Sequence, residues 1–114
     1  MLKTFLALAI SLASLPGVAI AQDIRAGKRV TVNSDWHAKH GGPYSPKIVA
    51  CKSSSGLCLH DTSFSPPDIP MEKSKGGYQV VFKSYGVIYL FRPKGKGTFH
   101  DMKGKKTGTF EWSQ

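Results

Sequence analysis

The chain has 114 residues, with 16 Lys and Arg against 7 Asp and Glu and a formal net charge of +9. That length supports one domain with one modest core and excludes an elaborate multidomain enzyme. Its 12 glycines, 7 prolines and only 2 cysteines exclude long helices and a multi-cysteine zinc scaffold, while the positive excess directs the chain toward anionic partners.

Residues 1–21 read as a cleavable secretory signal. Lys3 precedes an apolar run from Phe5 to Ile20, which ends in the small-residue pattern Ala19-Ile20-Ala21 before Gln22. Ser11, Ser14, Pro16 and Gly17 interrupt the run, and it falls short of the roughly 20 apolar residues of a spanning helix. The expected mature domain is therefore 22–114, secreted or periplasmic, with no transmembrane segment. Val, Ile, Thr, Tyr, Phe and Trp dominate its apolar set, so it reads as all-β.

A first strand is expected at Arg29 to Asn33, where Val30 and Val32 face one way. Ser34 to Pro46 then reads as a loop crowded with turn formers and aromatics. His37 and His40 would share a face only on a helix, which Gly41-Gly42-Pro43 argues against, so both read as loop histidines. Cys51 and Cys58 are expected to form a disulfide across a hairpin with arms Lys47 to Lys52 and Leu57 to Asp61. Closing so short a loop contributes about 2.5 kcal/mol on the chain-entropy view. Its tip, Ser53-Ser54-Ser55-Gly56, presents backbone amides of the kind that cradle an anion. Thr62 to Lys75 holds Pro66, Pro67 and Pro70 and reads as an extended surface connection.

Four strand-like runs follow: Tyr78 to Lys83, Val87 to Arg92, Thr98 to Met102 and Thr107 to Trp112, a C-terminal meander. The first two are apolar on both faces and are expected to be central strands. Gly97-Thr98-Phe99 recurs as Gly108-Thr109-Phe110, at the spacing of one strand plus one turn. Phe110 and Trp112 alternate on the last strand and belong to the core. The prediction is a small single-domain barrel or sandwich of about six short antiparallel strands.

Lys94, Lys96, Lys103, Lys105 and Lys106 form the densest cationic stretch. A meander places the first two and the last three at opposite ends of one strand, about 15–20 Å apart at about 3.3 Å per residue. That suits a stripe along a polymer and excludes one phosphate pocket. Trp36, Tyr44, Tyr78 and Tyr85 are candidate stacking platforms, Trp36 foremost because it stands beside His37, Lys39 and His40 in a glycine-rich loop. His60-Asp61 and His100-Asp101 are candidate acid/base groups, although neighbours on a strand point to opposite faces and neither dipeptide is itself a dyad.

His60, Met71, His100 and Met102 form a third constellation, with His100 and Met102 two apart on one expected strand. Imidazole and thioether together suit a soft ion such as Cu(I). The pattern resembles the His…Met…His-x-Met signature of periplasmic copper chaperones of the PCuAC family, which are secreted cupredoxin-like β-sandwiches. The resemblance spans Leu59 to Met102 and implies those four residues as copper ligands.

Three functions remain in play. The first is a non-enzymatic binding module that docks an anionic envelope or extracellular polymer, or a partner protein, through turn lysines and Trp36, with no cofactor. The second is a periplasmic copper protein. The third is a small secreted ribonuclease or toxin-like effector that uses His60 or His100.

Overall fold

The computed structural model describes residues 24–114; the signal read at 1–21 lies outside the described residues. Eight antiparallel strands form one curled, half-barrel sheet: β1 (Thr31–Asn33), β2 (Lys47–Ala50), β3 (Leu57–His60), β4 (Asp68–Ser74), β5 (Gly77–Phe82), β6 (Val87–Arg92), β7 (Lys96–Asp101) and β8 (Lys106–Ser113). Their order is β1-β8-β7-β6-β5-β4-β3-β2, so β2 to β8 make one continuous meander and β1 adds beside β8. β5 and β6, apolar on both faces, occupy the middle of that order as their composition requires.

The curl brings the segments that lead into β1 and β2 together. Val32 and Tyr44 exchange both backbone hydrogen bonds, at 2.7 and 3.0 Å, and the Val30 and Ile48 amides donate to the Pro46 and Lys28 carbonyls at 3.0 Å each. Edge groups that would otherwise template pairing with another chain are thereby satisfied. No helix among the described residues is long and apolar enough to cross a membrane.

Period-two alternation sends one set of side chains inward. Val80 and Phe82 of β5, Phe91 of β6, and Phe110 and Trp112 of β8 are buried with Val30, Val32, Ile48, Leu59 and Met71. The repeated Gly-Thr-Phe has a packing reason. A Cβ on Gly97 would lie 2.2 Å from the Phe110 ring, so glycine in the first copy makes room for phenylalanine of the second.

Two expectations need correction. The segment Thr62 to Lys75 is not wholly a connection, because Asp68–Ser74 forms β4 between β3 and β5, and this raises the strand count to eight. Pro70 is tolerated there because β5 pairs with β4 only from Met71 onward, leaving Pro70 beside β3 alone. The loop after β1 contains a single-turn helix, α1 (Asp35–Lys39). Ser34 caps it by accepting the His37 amide at 3.0 Å, and Gly41 and Gly42, both at φ +100°, terminate the turn instead of forbidding it. His37 is consequently a buried helical residue, not a loop histidine.

The disulfide Cys51–Cys58 is present. The serine tip it closes is occupied with its own fold: the Ser53 and Ser55 hydroxyls donate to the Met71 carbonyl, and Ser54 Oγ accepts the Lys73 amide at 2.6 Å. These bonds clasp the hairpin to β4, and amides of the tip are engaged as well, Ser54 donating to Glu72, Gly56 to the Ser53 carbonyl and Leu57 to the Ser53 and Ser55 hydroxyls.

Candidate functional site

Alternate turns of a meander fall at the same end, and this sorts the polar residues into two groups. One end collects α1, the loop Asp61 to Pro67, the turn Lys83 to Gly86 and the turn Met102 to Lys105. The other collects the hairpin tip Lys52 to Gly56, the turn Lys75-Gly76 and the turn Pro93 to Gly95.

At the first end α1 lies over the core on His37. The His37 ring packs 6.0 Å from Phe99 and 6.3 Å from both Tyr44 and Tyr89 between centroids. Nδ1 sits 2.6 Å from Ser34 Oγ and Nε2 3.4 Å from the Tyr89 hydroxyl. Because Ser34 Oγ accepts the His37 amide, its proton can go to Nδ1, which leaves the ring proton on Nε2. Burial, aided by the charge of His40, holds His37 below its ordinary value of 6.5. It is a neutral plug at physiological pH.

Burying His37 turns Trp36 outward, where it is 57% exposed. Its indole stacks on the His40 ring with centroids 4.1 Å apart and planes 10° from parallel, and His40 Nδ1 lies 2.7 Å from the Trp36 carbonyl. Opposite stands Tyr85, 71% exposed, at the end of the 3-10 turn Lys83–Tyr85 and backed by Phe64 at 5.4 Å. Gly86, at φ +64°, turns the chain from there into β6. Between Trp36 and Tyr85 opens a cleft of about 890 Å³, also lined by Val87, Tyr89, Phe99 and the polar Asp35 and Thr109.

Beside the cleft, the Tyr44 hydroxyl donates to Asp61 at 2.5 Å. Burial, then this bond, pushes the Tyr44 phenol far above its usual value. Burial alone would raise Asp61, but hydrogen bonds from Ser63 and Tyr44 and the nearby His60 outweigh it and hold the carboxyl low. His60 Nδ1 contacts Asp68 at 2.6 Å. The sequence neighbours His60 and Asp61 therefore serve different partners, and neither is joined to His100 or Asp101. Asp101 accepts the Lys103 and Lys105 amides and shapes its own turn.

The second end is a ring of cations. Lys52, Lys75 and Lys94 come from its three hairpin turns, and Lys73, Arg92 and Lys96 from the adjoining strand ends. The Trp112 indole N–H donates to the Arg92 and Lys96 carbonyls at 2.9 and 2.8 Å, and the Trp112 amide donates to the Gly95 carbonyl at 2.9 Å. That fixes the turn and presents Lys94, at φ +62°, to solvent. Among the described residues two carboxylate side chains share this end. Glu72 accepts the Ser54 amide, a bond that lowers its pKa, and Glu111 lies 3.5 Å from Lys96 Nζ.

The expected anion-binding set is thus divided. Lys94 and Lys96 belong to the cationic ring, whereas Lys103, Lys105 and Lys106 share the cleft end with Trp36. The four expected copper ligands are not brought together. Met71 is fully enclosed in the core, His60 is held by Asp68, and β3 is separated from β7 by three intervening strands. His100 spends its nitrogens on Thr98 Oγ1 at 2.8 Å and the Gly104 carbonyl at 3.0 Å, and β7 ends at Asp101, so Met102 lies in the turn beyond it. Sequence reasoning missed Asp35, Tyr89 and Phe99 at the cleft and Lys52, Lys73 and Lys75 at the ring. The signal for the ring was available, since alternate turns of a meander share an end. No family model, curated protein or solved structure matches the chain.

Proposed function

We propose that the chain is a secreted or periplasmic, non-enzymatic binding module whose basic end docks on an anionic surface or polymer. The observation that carries this reading is the ring of Lys52, Lys73, Lys75, Arg92, Lys94 and Lys96, drawn from the hairpin turns and adjoining strand ends at one end, with Glu72 and Glu111 already engaged. Six cations spread over three turns and the adjoining strand ends match a repeating anion better than a single phosphate. The disulfide fits an oxidising compartment.

The test is affinity of the oxidised domain for heparin as a function of salt. Binding is expected to weaken steeply as ionic strength rises through about 0.15 M, where the screening length is about 8 Å. Lys75→Glu with Lys94→Glu should weaken it at least tenfold, on the order of 1.4 kcal/mol. Lys105→Glu with Lys106→Glu, at the cleft end, should change it little. Equal losses from the two pairs would reduce the effect to net charge and sink the assignment of this end.

A further inference from the structure

The aromatic cleft carries a charge opposite to that of the molecule as a whole. In a chain of net charge +9, the one charged residue among the described residues that line it is Asp35. The Asp35 carboxylate makes no hydrogen bond or ion pair with any described residue. Four rings surround the same space, those of Trp36, Tyr85, Tyr89 and Phe99. Their faces bear the negative part of the aromatic quadrupole. Burial pushes the Tyr89 phenol up to about 12, so that wall stays neutral and the carboxylate is the only full charge among the described residues of the lining.

We propose that this cleft binds an organic cation of the alkylammonium class, with its methylated head among Trp36, Tyr85, Tyr89 and Phe99 and Asp35 as the counter-charge. An anion would meet the Asp35 carboxylate. A neutral apolar ligand would fill the cleft but cover Asp35 without compensation, which is costly. A bare primary ammonium holds its water tightly, whereas a methylated head sheds it onto aromatic surface at lower cost. The platforms are fixed before binding: Trp36 is stacked on His40 and Tyr85 is backed by Phe64. Little ordering entropy therefore remains to be lost. The inference rests on the cleft alone and is independent of the polyanion reading of the opposite end.

The experiment is a titration of the oxidised domain with choline, followed through the two indole N–H resonances in the magnetic resonance spectrum. The Trp36 signal should shift and saturate, while that of buried Trp112 stays in place and reports an intact fold. The neutral isostere 3,3-dimethylbutan-1-ol should bind about tenfold more weakly or worse. Asp35→Asn should reduce choline affinity about tenfold without affecting the isostere, and Trp36→Ala should abolish choline binding. No saturable shift up to about 100 mM choline would overturn the proposal. So would equal affinities for choline and its isostere, or an unchanged affinity in Asp35→Asn, either of which marks a merely apolar groove.

Discussion

The two ends of the curled sheet are built from the same meander by different means. At the basic end, serine hydroxyls and the Trp112 indole bond backbone groups and pin short turns whose lysines point to solvent. The cleft end is made of side chains, because α1 and the 3-10 turn exist there to seat His37 and to raise Trp36 and Tyr85 as walls. A charge presented by a turn needs only that turn. A cleft needs a helix, two strands and a loop to agree, so its integrity depends on a buried ionisable plug. Perturbations can therefore be found that injure one end and spare the other.

The largest such effect is expected from Trp112→Phe. Phenylalanine keeps most of the buried ring but leaves the Arg92 and Lys96 carbonyls without their indole donor. The stability loss should be about 1–3 kcal/mol by denaturant unfolding, the usual cost of stranding such groups. The Pro93 to Gly95 turn should loosen with it, lowering heparin affinity severalfold while choline binding is unchanged. If both activities fell together, the ends would not be separately built.

Acid should do the reverse, because His37 belongs to the cleft end alone. A histidine held below 6.5 by burial and by His40 takes up its proton more readily in the unfolded chain. Its contribution is complete above pH 6.5 and is lost as pH falls below that value toward the lowered folded one, at no more than about 1.4 kcal/mol per pH unit. Asp61, whose carboxyl is also lowered, loses its contribution only in the separate window below pH 3.8. Amide exchange should accelerate first at Ala38, which donates to the Ser34 carbonyl in α1, and not at Trp112, which donates to Gly95. His37→Gln should flatten the pH dependence below pH 6.5; an unaltered slope would place the titration elsewhere.

The meander was legible because Tyr78 to Phe82 and Val87 to Phe91 alternate cleanly between short turns, and their apolar outer positions marked them as central. β4 was hidden by its prolines. Pro66 and Pro67 do lie in a connection, but Pro70 sits inside the strand at a place that β5 does not reach, and such a place is defined only by the register. α1 was hidden by its brevity, since five residues give no helical period and Gly41-Gly42 resembles a breaker when it is in fact the stop. Trp36 and Tyr85 were recognisable singly as exposed stacking groups. Their convergence with Asp35 required the helix to fold across β6 and β7. The cations were all visible in the sequence, yet grouping them by end required the alternation of turns.

The smallest effect sharpens the comparison most, because it separates charge from structure at one residue. Glu111 pairs with Lys96 at 3.5 Å, with side chains 75% and 68% exposed, a geometry in which the pair contributes little to folding. Glu111→Gln should therefore leave stability within about 0.5 kcal/mol. The same change removes a carboxylate from the basic end and frees Lys96 for a ligand. Heparin affinity should rise by about twofold at low salt and return to the parent value at high salt, since the gain is purely Coulombic. Choline binding at the far end should not move. A fall in heparin affinity would instead mean that the Lys96–Glu111 pair holds the turn in its binding shape, so that charge and structure are not separable at this residue.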